Sequence, residues 1–233
     1  MQSQSYYTLL VAALSIGFIH TLIGPDHYLP FVALGKSNKW TDARTLSVTF
    51  LCGLGHVVSS LAMGAIGIAL GASVGALENV DSSRSDIVKW MFLVFGVCYT
   101  IYGIKLALVQ SVNVDSDAES ITHAHAHSCR HCHNIDISRN ASFWVLFIIF
   151  LFGPCEVLIP LLIYPAANFN WYEVFSIALA FSLSTVLTMI LAVAALLYGM
   201  RFAGGWTEKL ERWNHAITGA ILIFCAILMF ALD

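Results

Sequence analysis

Hydrophobic positions along the chain gather into six runs, at about 6–34, 45–72, 87–109, 141–166, 172–199 and 214–231. Each approaches or exceeds the roughly 20 apolar residues that a helix needs to cross a bilayer. Backbone groups in hydrocarbon must be satisfied within their own segment, so the runs predict helices or interrupted helices rather than open strands. Two polar connections are substantial. Residues 73–86 are small and weakly acidic, and residues 110–140 are polar and rich in histidine.

Composition points the same way. Of 233 residues, 58% are hydrophobic and 11% charged, against about 25% charged in an ordinary soluble domain. Mean hydropathy is +0.78. The formal charge of −3 gives no basic surface for nucleic acid. The amino-terminal stretch lacks the positive region of a cleaved signal peptide and reads as the start of the first span. The fold class expected is therefore an all-α integral membrane protein in the lipid bilayer of the cell inner (plasma) membrane.

Lys36, Lys39, Arg44, Lys105, Arg130, Arg139, Arg201, Lys209 and Arg212 flank one set of connections, while Arg84 and Lys89 flank the other. Positive charge favours the cytoplasmic side, which puts both termini outside and the 110–140 loop in the cytoplasm.

The two halves echo each other. GPDHYLP, Gly24 to Pro30, has a counterpart in GPCEVLIP, Gly153 to Pro160. His56 and Thr185 each follow the Gly-Pro proline of their half, Pro25 or Pro154, by 31 positions. Three spans per copy would invert the second copy in the membrane, an arrangement in which transporters build midplane sites at discontinuous helices. The sequence thus predicts six transmembrane helices as two inverted three-helix repeats, with helices 1 and 4 broken. The units are 1–109, a His/Cys-rich cytoplasmic loop at 110–140, and 141–233.

The costly residues lie at those breaks. Asp26 and Glu156 are the carboxylates well inside the predicted spans, and His20, His27 and His56 the histidines. A charge at mid-bilayer costs at least about 2.5–3.5 kcal/mol, so such residues are expected to share a purpose. Imidazole and carboxylate together suit nickel, cobalt, zinc or iron. Cys155 adds a thiol beside Glu156, although a small buried cysteine also serves simply as packing. Asn168, Ser182, Ser184 and Thr185 are further polar candidates for a path. The tract HAHAHSCRHCH brings His123, His125, His127, Cys129, His131, Cys132 and His133 into eleven residues, a composition typical of flexible metal capture.

Three of these segments resemble the nickel/cobalt transporter superfamily, closest to its urease-accessory-type membrane nickel permease branch. They are HTLIGPDH from His20, GLGHVVSS from Gly53 and FGPCEVLIP from Phe152. The resemblance implies metal recognition by His20, Asp26 and His27 with support from His56. It also implies passage of a divalent ion, with cytosolic metal chaperones or metalloenzyme maturation proteins as partners.

The reading that follows is transmembrane transport of nickel or cobalt, without enzymatic activity. Two alternatives stand beside it. One is a membrane thiol–disulfide transfer protein of the cytochrome c biogenesis type, which carries a cysteine beside proline in each half. Here the first half has Asp26 at that place and only the second has Cys155. The other is a metal-binding accessory membrane subunit.

Overall fold

The computed structural model describes residues 2–69, 74–116, 133–153, 161, 171–202 and 211–232, all helical apart from short turns. Helix α1 (Gln2–Ile23) leads into a single 3-10 turn (Pro25–His27) and α2 (Leu29–Ser37). Then come α3 (Asp42–Ala69), α4 (Val74–Ser116), α5 (His133–Phe152), α6 (Trp171–Phe202), a second 3-10 turn (Glu211–Trp213) and α7 (Asn214–Leu232). Five of these contain segments long and apolar enough to cross a membrane: Gln4–Ile23, Asp42–Gly67, Asn79–Val109, Trp171–Arg201 and Asn214–Ala231. Ala141–Phe152 is a shorter apolar helix, and most of the rest of the expected fourth span lies outside the described residues.

The first expected span is broken where the sequence placed the break. Gly24 precedes proline and is driven out of the helical region, with φ −84° and ψ 94°. Pro25 has no N–H to offer the Thr21 carbonyl. Its fixed φ instead starts the 3-10 turn, which closes through His27 N–H to Gly24 O at 3.1 Å and Tyr28 N–H to Pro25 O at 3.3 Å. The Tyr28 hydroxyl reaches back across the break and donates to the Leu22 carbonyl at 3.3 Å.

Helix α2 ends at Lys39, which adopts a left-handed φ of 53°. The Trp40 N–H donates to Gly35 O at 2.8 Å, closing the helix end as a Schellman turn does. Thr41 then caps α3, its hydroxyl accepting the Arg44 N–H at 3.2 Å. Arg201, at the end of α6, is ion-paired with Asp42 in the first turn of α3.

The polar stretch 73–86, expected as a linker, is mostly helix. From Val74 on it forms the first turns of α4, and the apolar segment starts at Asn79 rather than near 87. Asp81 and Ser85, four residues apart, are buried on one helix face here, which period-blind reading of a window misses.

Small residues set the closest helix approach. A Cβ on Gly103 of α4 would overlap the Ala216 backbone of α7, and one on Gly219 would overlap Thr100. Without a hydrophobic driving force between helices in lipid, such close backbone contact is a main source of association. The larger core gathers Phe31 and Leu34 of α2, Phe92 of α4, Leu146 and Ile149 of α5, and Leu222 of α7. Outward-facing Val58, Ile66, Val94 and Leu183 are each more than half exposed, a broad apolar surface of the kind that faces lipid.

Candidate functional site

The break in the first span delivers its side chains to one place. The rings of His20 and His27 stand with centroids 5.1 Å apart, and His27 meets His56 of α3 at 5.6 Å. Asp26 Oδ2 lies 3.2 Å from His27 Nδ1, and the Gly24 carbonyl lies at 3.2 Å from the same nitrogen. His20 and His27 are seven positions apart in the chain. The 3-10 turn keeps them on one side because it ends α1 without reversing the chain.

His56 is 4% exposed. The Phe150 backbone approaches its ring, yet neither ring nitrogen closes a well-formed hydrogen bond among the described residues. His20 Nε2 is buried in the same condition. Leaving a buried polar group unmatched costs about 1–3 kcal/mol, which makes these nitrogens candidates for the site among the described residues. His56 is held in position by its backbone: its carbonyl accepts from Ser59 at 2.9 Å and Ser60 at 3.1 Å.

These groups line a cavity of about 450 Å³. His20, Asp26, His27 and His56 supply one part of its wall, Ser85 and Lys89 of α4 another, and the rest is mainly apolar. Gly153, which follows α5, also lines it, and a Cβ there would stand 3.1 Å from His56 Nδ1. Ser85 and Lys89 were not singled out from sequence. A lysine inside an apolar run was a visible signal, but placing the start of the span near 87 made it look like a flank.

Other expected residues fall elsewhere. Ser184 donates to the Leu14 carbonyl at 2.7 Å, joining α6 to α1, and Ser182 bonds back to Ala178 O at 2.7 Å. Thr185 is fully buried beside Gly17. Cys52 and Cys225 are buried free thiols and Cys98 is an exposed one. Cys155, Glu156 and Asn168 lie outside the described residues, as do His123, His125, His127, Cys129, His131 and Cys132; His133 begins α5. Among the described residues, no group of three or more His, Cys, Asp or Glu side chains is arranged to hold a metal ion.

Fold and site together define a multi-pass membrane protein with an imidazole–carboxylate centre buried at a helix break. Residues 28–228 match the cytochrome c biogenesis protein transmembrane region, and the chain belongs to that family. No curated protein and no solved structure matches the chain.

This match overturns the resemblance to the nickel/cobalt transporter superfamily, and with it the reading of the chain as a nickel or cobalt transporter. The reason is physical. Polar residues beside a Gly-Pro break occur wherever a membrane protein needs a buried acid–base or ion site, so HTLIGPDH names the break and not the cargo. The alternative weighed beside it, the cytochrome c biogenesis type, is the one the family supports.

Proposed function

We propose that the protein is a membrane thiol–disulfide transfer protein of the cytochrome c biogenesis type. The single observation that carries this reading is the family match over residues 28–228. The finer architecture proposed with it is two inverted three-helix repeats, with both termini outside and the 110–140 loop in the cytoplasm. The Gly24-Pro25 break and the end of α5 just before the Gly153-Pro154 pair support that arrangement.

A transfer cycle needs a thiolate that attacks and a second thiol that resolves. Cys155 is the proposed attacking thiol. Asp26 stands where the other half of such a protein would carry its cysteine, so the resolving pair is assigned to Cys129 and Cys132, spaced C-x-x-C. The Cys155 thiolate attacks a substrate disulfide RS–SR′, forming Cys155–S–S–R and releasing R′S⁻, which takes up a proton. Cys132 displaces RS⁻ from Cys155, and RS⁻ is protonated in turn. Cys129 then displaces Cys155 from Cys132. The substrate gains two electrons and two protons, and Cys129–Cys132 becomes the disulfide. A cytoplasmic protein dithiol of the thioredoxin class reduces it again.

Each thiol must lose its proton to react, which for Cys155 in the expected fourth span requires a nearby acceptor. His20, Asp26, His27 and His56 supply acceptors around a cavity whose wall includes Gly153, two positions before Cys155 in sequence. The test is transfer across vesicles: a thioredoxin-class dithiol outside, a disulfide-containing peptide trapped inside. Cys155→Ser is expected to reduce transfer to the rate of empty vesicles. Full transfer by that variant would overturn the reading.

A further inference from the structure

The first turns of α4 carry charge on a face that does not meet lipid. Asp81, Ser85 and Lys89 recur every four residues and are 4%, 4% and 2% exposed. Their neighbours Val80, Ile87, Trp90 and Val94 are each at least half exposed on the lipid side. An i, i+4, i+8 spacing lines residues up along one helix face over about 12 Å. All three lie within the apolar segment Asn79–Val109.

The inner end of this strip is the cavity. Ser85 and Lys89 line it together with His20, Asp26, His27 and His56. At its outer end Asp81 is ion-paired with Arg84 at 3.7 Å, and Arg84 also contacts Met63 Sδ at 3.4 Å. Lys89 is ion-paired with the exposed Asp86 at 3.4 Å. Ionisable residues within a span face the protein interior or a water-filled cavity, and mark ion or proton pathways. His56, buried at the inner end and with neither ring nitrogen in a well-formed hydrogen bond among the described residues, is a group that water would satisfy.

We propose that the Asp81–Ser85–Lys89 face of α4 is a hydrated lane. It brings water, and protons with it, to the His20–Asp26–His27–His56 centre from the side of the membrane where α4 begins. The lane deepens the proton-handling role in the exchange reading above, but its tests read water without turnover. Loss of the lane and loss of the exchange reading are therefore separate outcomes.

The experiment introduces Ser85→Cys, a near-isosteric change, in the full chain in vesicles. Labelling by a membrane-impermeant maleimide is read at residue 85 by peptide mass, which keeps native cysteines out of the signal. Maleimides react with the thiolate, which forms in water and not in lipid, so position 85 should label at least about tenfold faster than Val94→Cys. It should do so only from the side where α4 begins. Labelling no faster than at 94, or only from the opposite side, would overturn the lane. Hydroxyl-radical footprinting of the unaltered chain gives a second measure that no folding defect can obscure. Met229, on the cavity wall, should oxidise, while the fully buried Met189 should not. Equal protection of the two would also overturn the lane.

Discussion

His56 stands nearly perpendicular to His27, with 84° between ring planes and 5.6 Å between centroids. The two rings come from different elements, and among the described residues the carboxylate of Asp26 stands beside His27. One imidazole is thus oriented by an acid, and the other lies against the Phe150 backbone.

That asymmetry predicts a trade between stability and activity at His56. Replacing His56 with Leu removes two buried nitrogens that lack well-formed hydrogen bonds among the described residues and should raise stability by about 1–3 kcal/mol, measured as a higher unfolding temperature in detergent. Thiol transfer should fall by about 10²–10⁴-fold if the imidazole handles protons. A variant that is both less stable and fully active would contradict this account of the ring.

Gly24 tests the geometry of the turn. A Cβ there would stand 2.7 Å from His27 Nδ1 and 3.0 Å from Asp26 Oδ1. Gly24→Ala should therefore push His27 away from Asp26 while leaving α1 and α2 helical. Transfer should drop by about tenfold or more, since a displacement near 1 Å at a reacting group can cost more than that. Circular dichroism should be unchanged. Wild-type transfer by Gly24→Ala would show that the His27–Asp26 contact is dispensable.

Gly103 and Gly219 should be sensitive for a different reason. Their Cβ atoms would overlap the facing backbone in the α4–α7 contact, so Gly103→Val or Gly219→Val should destabilise by about 1–3 kcal/mol or more. Thermal unfolding in detergent checks it. Cys98→Ser, on an exposed part of α4, should leave unfolding unchanged and serves as the comparison.

At Tyr99 the expected loss is in folding and not in transfer. Its hydroxyl meets Ser37 at 2.9 Å and His215 Nδ1 at 3.0 Å, and accepts from Asn38 Nδ2 at 3.2 Å, tying α2, α4 and α7 together. Tyr99→Phe removes these three contacts, leaving Ser37 and Asn38 their bonds to the Leu34 carbonyl and His215 Nδ1 without the hydroxyl, at a cost of about 1–3 kcal/mol. The unfolding temperature should fall while the transfer rate of the folded fraction stays at wild type.

Much of the site was legible in the sequence because hydrocarbon makes polar residues conspicuous. His20, Asp26, His27 and His56 stand out from apolar surroundings, and the Gly24-Pro25 pair announces the turn that gathers them. Their chemical purpose was not legible, since the same donors serve ions and protons alike. Lys89 shows the other limit. Whether a lysine near a span boundary faces solvent or a cavity depends on where the helix begins, and weakly polar residues 74–86 continue a helix that a hydropathy window ends. The Tyr99 network escaped for a related reason: Ser37, Asn38 and His215 lie far apart in the chain, and no local pattern joins them.

The tight close of α2 at Lys39 has a mechanical consequence. Gly35 seats directly on Thr45, and Thr218 of α7 donates to the Ala33 carbonyl at 3.0 Å, so α2 is clamped to its neighbours at both its end and its flank. Any swing of α1 would then be taken up between Gly24 and Tyr28, the short connection that carries Asp26 and His27, so that movement of α1 alters the spacing of His20 from the rest of the site.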